Sequence, residues 1–541
     1  MSERAADDQP EAAADPPTSS ADQILGSTLI VAAGFGATFV TGFIQERVVG
    51  TFFGTSAQLD AYFAANTPAE LLVVALAGGA LNFAFIPIYT SLLNLESRTD
   101  ANDLFSQVMN AIFILTAIGS LLVALFANTL VTAPWGLGAG FDPATQVLTI
   151  QVLRILLLST MIFSVSGLLS GALHANQHFL LPALAPAVYN AGIVLGAWLL
   201  SPTMGVFGLA WGAVLGALLH LAVQLPGMLI YKIRWSFKLN LHDTRLHRVA
   251  ILMAPRVVDL LLARLSLQWI NVNIATGLGE GRVSALRFGR TLMNLPWTLI
   301  GTAIGIAIFP TLAALAARND LESQRRALNG SLRAILTLAL PAAVGLVVLG
   351  RPAISLIYEG GEFGAESAQL VYIALQFWTV ALISQSVLEV VVRAFAAQED
   401  TYTPLYISFF TTALNVGLAF WLASTRLEHG GLALANGIAV GVEALIGLTI
   451  LHLRWQGFGA GQVLIDLLKA SLAAGVMAAV VVLFQTLLPL GTLPTLLGGG
   501  LIGVGVYFGV ALLLGIREVL TIPASLVQRF LSRAKKATNS V

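Results

Sequence analysis

Some fourteen stretches of about twenty predominantly apolar residues, each the length of one bilayer crossing, follow one another along the chain. They lie near 24–44, 69–93, 105–133, 148–172, 181–201, 206–231, 249–275, 285–315, 331–350, 367–395, 403–423, 431–453, 464–488 and 495–516. Inside lipid a segment must satisfy its own backbone amides, so each stretch predicts a helix. Composition agrees: 57% of the 541 residues are hydrophobic, 10% are charged and the mean hydropathy is +0.83, which fits an all-α polytopic membrane protein.

The same composition narrows function. Net charge is zero, so no basic face for nucleic acid is expected. There is no cysteine, which removes disulfides, thiolate metal sites and thiol nucleophiles. His174 and His178 stand at i, i+4 without an HExxH-type neighbour and read as a solvated pair, so neither metal nor cofactor is implied. No nucleophile–base set, phosphate-binding glycine loop or paired-carboxylate geometry is recognisable, so the chain does not read as an enzyme. Transport without an ATP site would draw on an ion gradient, the membrane potential or the cargo's own gradient.

Lys and Arg collect in "YKIRWSFKLNLHDTRLHR" (231–248), "ARNDLESQRRALNGSLR" (317–333) and the tail ending "QRFLSRAKK", whereas "PWGLGAGFDPATQ" and "LPLGTLPT" have neither. By the positive-inside rule both termini are then cytoplasmic. An internal repeat is also visible. "GGALNFAFIPIYTSL" aligns with "GTAIGIAIFPTLAAL" so that Gly78 falls on Gly301 and Pro87 on Pro310. Nearly the same shift lays "GALHANQHFLLP" (171–182) over "RAFAAQEDTYTP" (393–404) and "GLAWGAVLGAL" (208–218) over "GLALANGIAVG" (431–441). The expected organisation is a disordered acidic cytoplasmic tail (1–22), an N-lobe of six helices (23–245), a C-lobe of six (246–456), two further helices (457–520) and a basic cytoplasmic tail (521–541). An even number of spans per repeat makes it a parallel repeat, with the substrate site between the lobes.

Ionisable groups at membrane depth mark functional sites by default. In the seventh span Arg264, Gln268 and Asn271 form one helical stripe, and Asp259, Ser266 and Asn273 another, with Arg256 close to Asp259. In the eighth, Arg287, Arg290, Asn294 and Thr298 share a face. Facing the inter-lobe space, Arg264, Arg287 and Arg290 would line a cationic cavity suited to phosphate. The alternative is that Arg287 and Arg290 snorkel to headgroups and Arg256 pairs with Asp259. Asp60 and Glu70 flank the start of the second span, where Pro68 suits a helix beginning. Glu389 and Arg393 read as a helical pair, and Glu443 has no partner within a turn.

Several motifs resemble the MurJ/MviN family of lipid II flippases, within the MOP exporter superfamily. "LDAYF" (59–63) and "AGGALNFAFIP" (77–87) resemble the family's TDAFF and AEGAFxxAFVP. "GLLSGALHANQHFLLPALAPAVYN", "RTLMNLPWTLIGTAIGIAIFPTL", "IYEGGEFGAES" and "RAFAAQEDTYTP" resemble four further family segments. The likeness covers roughly residues 25–515. It implies fourteen helices, a central cationic cavity, a lipid-tail groove formed by the last two helices, and residence in the bacterial cytoplasmic membrane. It also implies lipid II, an undecaprenyl-pyrophosphate-linked precursor, as cargo, with membrane lipids and cell-wall synthesis proteins as partners. Departures fall on charged positions: Gln45, Thr51, Val73, Val74 and Gly78 replace family arginines or glutamate, and Arg290–Thr291 stands for Asp-Arg. Asp60 is kept, while Arg264 and Arg287 are additional. An exporter of another lipid-linked glycan or amphiphile, or a non-transporting cell-wall scaffold, are the competing readings.

Overall fold

The computed structural model describes residues 19–76, 79–95 and 97–516. The basic tail and most of the acidic tail lie outside them, as does Gly78. The chain begins with α1 (Ser19–Phe53), α2 (Ala57–Leu76), α3 (Gly79–Leu95), α4 (Arg98–Leu125), α5 (Ala127–Thr132) and α6 (Pro143–Ala175). It continues with α7 (Leu180–Leu199), α8 (Ser201–Met204), α9 (Val206–Ala222), α10 (Leu225–Ile230), α11 (Thr244–Arg264) and α12 (Asn271–Thr276). Then come α13 (Arg282–Trp297), α14 (Ala303–Ala317), α15 (Leu321–Tyr358), α16 (Ala365–Ala397), α17 (Tyr402–Ala423), α18 (Glu428–Arg454), α19 (Ala460–Leu487) and α20 (Thr492–Leu513). Among the described residues, eleven helices are long and apolar enough to cross a membrane.

Capping chemistry fixes several starts. The Asp142 carboxylate accepts the backbone N–H groups of Ala144 (2.9 Å) and Thr145 (3.2 Å), with Pro143 at the first helical position of α6. Pro68, expected at a helix start, instead lies inside α2, which begins at Ala57. The buried stretch Leu59–Tyr62, apolar but for Asp60, lies in the more than two turns that precede the proline, and the Thr67 hydroxyl bonds the Phe63 carbonyl (3.2 Å) beside it.

Two continuous spans of the sequence reading contain π-helical turns. Leu265–Ile270 joins α11 to α12, and Thr298–Thr302 joins α13 to α14. Such turns are rare and occur frequently at functional sites. Here they interrupt the two spans that carry the polar stripes.

α7 packs on α1 and α9, and α6 on α2, α4 and α9; α16 packs on α13, α15 and α18, and α17 on α18. α11 lies against α2 and α3, while α19 and α20 pack on each other and on α15. The α7–α9 crossing depends on glycine. A Cβ on Gly196 would lie 2.2 Å from the Gly212 Cα, and one on Gly192 would lie 2.3 Å from the Gly216 Cα, so the two backbones touch directly.

The repeat found in sequence returns as backbone conformation. Gln177 after α6 and Glu399 after α16 both take φ of +59°. In each turn a backbone N–H closes on a carbonyl five residues back, His178 on Leu173 (2.9 Å) and Asp400 on Phe395 (3.1 Å), as in a Schellman ending. Gly205 (+57°) matches Glu428 (+45°), and Lys232 (+49°) matches Gln456 (+53°). Positive φ is uncommon away from glycine, so matched occurrences at one spacing record a duplicated unit.

Candidate functional site

Besides the packing of α11 on α2 and α3, the two halves of the chain meet at the ends of α2, α13 and α16 that lie away from the Lys- and Arg-rich loops. There the Asp60 carboxylate of α2, fully buried, accepts the backbone N–H groups of Gly281 (2.6 Å) and Ser284 (2.7 Å) and the Ser284 hydroxyl. It thereby caps α13, a helix 221 residues away, and faces the positive end of its dipole. Around this cap the Ala57 N–H donates to Glu280 (2.9 Å), the Thr55 hydroxyl to the Ser367 hydroxyl (2.9 Å), and the Glu362 N–H to the Thr51 carbonyl (2.9 Å). Gly361 has φ of +58°, and a Cβ there would lie 2.3 Å from the Thr51 carbonyl oxygen, so close approach and backbone conformation both require glycine.

Beneath this seal lies a partly open cavity of about 90 Å³, lined by Phe63, Asn66, Thr67 and Glu70 of α2, by Gln268 and Asn271, by Arg287 and Arg290, and by Trp378 of α16. Arg287 lies 4.8 Å from the Phe63 ring centroid, and its guanidinium is 3.6 Å from a Glu70 oxygen. Arg290 stands over the Trp378 ring at 5.7 Å, and Arg264 and Arg287 both repel it electrostatically. The three arginines are therefore neighbours in one field, although Arg264, half-buried, is not itself a lining residue.

Glu70 is the counter-charge. It accepts hydrogen bonds from Asn66 (2.5 Å) and Gln268 (3.0 Å), so one carboxylate of α2 joins both the π-helical turn and α13. A second carboxylate crosses between the halves at Glu46, which accepts the hydroxyls of Thr291 (2.7 Å) and Tyr358 (3.1 Å) and attracts Arg287.

The sequence reading expected Arg264, Gln268, Asn271, Arg287, Arg290 and Asn294 to face one space; Gln268, Asn271, Arg287 and Arg290 line the cavity, and Arg264 does not. Asn294 is half-buried and lines neither polar cavity. Asp60 belongs to the seal. The side chains of Arg256 and Asp259 lie outside the described residues. Asn273 turns away and donates to the carbonyls of Pro134 (3.2 Å) and Gly136 (2.6 Å). Glu70 and Glu46 went unrecognised as site residues. The signal for Glu70 was present: Phe63, Asn66, Thr67 and Glu70 stand at i, i+3, i+4 and i+7, visible as a stripe once α2 begins at Ala57.

A second polar cavity, about 250 Å³, opens between α13, α16, α17 and α18, with Gln385, Asn415, Asn436 and Glu443 in its wall and Arg290 on its border with the first. Glu443 finds its partner on the neighbouring helix, accepting the Thr411 hydroxyl (3.2 Å). A third, almost wholly apolar space of about 290 Å³ lies between α15, α19 and α20, from Pro341 to Tyr507 and Phe508.

The chain is thus a polytopic helical membrane protein with a cationic, counter-charged cavity where its halves meet. The fold superposes with a TM-score of 0.65 on an inward-facing MATE family transporter of the MOP superfamily, at 15% identity, covering 77% of this chain and 95% of that one. It superposes at 0.75 on an inward closed lipid II flippase MurJ, at 23% identity, covering 89% and 98%. The family model of the lipid II flippase MurJ matches residues 49–497. The chain belongs to that family. The lipid II flippase MurJ of Burkholderia cenocepacia is 28% identical over 424 residues, 77% of this chain and 81% of that protein. A probable lipid II flippase MurJ of Rhizobium tropici is 27% identical over 527 residues, 93% and 96%.

Proposed function

We propose that this protein flips lipid II, carrying its pyrophosphate-linked headgroup from the inner to the outer leaflet of the bacterial cytoplasmic membrane. The observation that carries the reading is the triple-arginine field at the meeting of the halves, held in check by Glu70. Lobes 23–245 and 246–456 rock about this site. With both termini cytoplasmic, the seal around Asp60 is the outer gate, and cargo enters from the inner side. The pyrophosphate meets Arg264, Arg287 and Arg290, whose forked donors suit phosphate oxygens. It displaces Glu70 from Arg287, and that displacement frees the link from α2 to α13. Binding and release of the seal are thereby coupled through one carboxylate, as differential contact with two conformations requires. The apolar space along α15, α19 and α20, within 457–520 and its neighbour, takes the polyprenyl tail, so the tail stays in hydrocarbon while the headgroup crosses.

The second reading, export of another lipid-linked glycan or amphiphile, is favoured by the loss of the family's charged residues at Gln45, Val73, Val74 and Gly78. The two part in a bacterium depleted of its own lipid II flippase. This protein restores growth, and the variant R264A/R287A/R290A at equal membrane level does not. No rescue by a well-expressed parent that also fails to bind purified lipid II transfers the assignment to another cargo.

A further inference from the structure

The segment "RWSFKLNLH" (234–242) alternates strictly: Trp235, Phe237, Leu239 and Leu241 are apolar, and Arg234, Ser236, Lys238, Asn240 and His242 are polar. Period two is a strand pattern, yet among the described residues no strand lies beside the segment, which is irregular and turns back on itself where the Lys238 N–H donates to the Ser236 carbonyl (2.8 Å). Its partner is a helix. Asn102 donates to the Lys232 carbonyl and accepts the Arg234 N–H (both 3.2 Å); Ser106 accepts the Ser236 N–H (3.1 Å). Asn110 donates to the carbonyls of Ser236 (2.9 Å) and Lys238 (2.7 Å) and accepts the Trp235 indole N–H (3.0 Å). Arg98 bonds the Tyr231 carbonyl and begins the same stripe of α4, every fourth residue from 98 to 110.

Beyond Asn110 the stripe turns apolar and exposed, at Ile114 (43%), Ile118 (51%) and Leu122 (50%). The strap therefore ends where α4 begins to face hydrocarbon. Its apolar face is left open: Phe237 is 88% exposed and Leu241 64%, with the Trp235 and Phe237 rings packed edge to face at 4.3 Å. The α4 stripe takes up the backbone groups of Lys232, Arg234, Ser236 and Lys238, and at the headgroup boundary, unlike the hydrocarbon core, water can satisfy the others.

We infer that the 231–242 strap is an interfacial anchor, its Trp235/Phe237/Leu241 face inserted at the headgroup–acyl boundary of the inner leaflet and Lys232 and Arg234 set against phospholipid phosphates, while Lys238 pairs with Asp103 of α4 (3.0 Å). It rests on the membrane-spanning reading and on the cytoplasmic placement of the basic loops. Aromatic residues and basic side chains are what such boundaries select. The strap joins α10 to α11, so it fixes the height of the connection between the halves while they move.

The cysteine-free chain makes the test direct. Phe237→Cys carries an environment-sensitive fluorophore in proteoliposomes of phosphatidylcholine with or without phosphatidylglycerol, and Arg318→Cys, on another exposed basic loop, serves as control. Lipids spin-labelled near the headgroup should quench the label at 237 at least about twofold more than at 318, as insertion of 5–10 Å predicts. Phosphatidylglycerol should increase that quenching, and Lys232→Gln with Arg234→Gln should remove the increase. Water-like emission at 237, or a blue-shifted label that lipid quenchers do not reach, overturns the anchor, the latter in favour of a protein contact. Labelling of both cysteines by a membrane-impermeant maleimide in intact and permeabilised cells reports sidedness separately. An inserted label on the outer side keeps the insertion but overturns the inner-leaflet assignment and the orientation beneath it.

Discussion

In the proposed mechanism Glu70 is the residue whose removal should tighten binding. A carboxylate 3.6 Å from Arg287 competes for the same donors that a phosphate would use. Charge-assisted hydrogen bonds are worth roughly 1.5–3 kcal/mol, so Glu70→Gln should raise affinity for a pyrophosphate-linked lipid about tenfold while slowing its release. Binding of purified lipid II in detergent, read with the translocation rate, checks this; unchanged affinity would remove Glu70 from the mechanism. Arginines amid hydrocarbon announce themselves, so Arg264, Arg287 and Arg290 were legible in the sequence. Glu70 was not, because its partners Gln268 and Arg287 come from helices nearly two hundred residues away or more. Nor could spacing reveal that Asp60 caps α13, since a cap across the fold leaves no local pattern.

At the level of elements, the glycine contacts and the duplicated turns make separate predictions. Gly196 and Gly212 let α7 and α9 touch backbone to backbone, so Gly196→Leu forces them apart and should cost at least about 1–3 kcal/mol, the usual penalty of overpacking. Thermal unfolding in detergent measures it, and an unshifted midpoint contradicts the close crossing. In the turn after α16, the Thr403 hydroxyl, followed by Arg454, holds the Asp400 carboxyl down to about 2. A depressed carboxylate stabilises the fold above its unfolded value, near 4, and loses that contribution as pH falls towards 2. Asp400→Asn should therefore lower the unfolding midpoint at pH 7, with the difference shrinking below about pH 4 and closing near pH 2. A difference independent of pH would assign the loss to something other than the charge. Helices and the repeat were legible because hydropathy and an offset survive in one sequence. The π-helical turns were not, because inserting one residue into a turn leaves the apolar pattern intact.

For the molecule as a whole, the account requires that the contacts around Asp60 open and close while the halves stay folded. The general architecture was readable in advance, since length, charge depletion and alternation of basic loops constrain a membrane chain strongly. Which end is sealed was not readable, because Thr55, Ser367, Thr51 and Glu362 are ordinary residues in apolar surroundings and acquire meaning only when the halves meet. The Thr55 and Ser367 hydroxyl oxygens, 2.9 Å apart, also offer a lock. Paired cysteines there would need only a small approach to reach a bond of about 2.05 Å, with no native cysteine to compete. The measurement is translocation of fluorescent lipid II in proteoliposomes containing T55C/S367C, oxidised and then reduced, beside the parent. Alternating access through this gate predicts parent-like translocation in the reduced form, none in the oxidised form and recovery on reduction. Undiminished translocation by fully oxidised protein would contradict it.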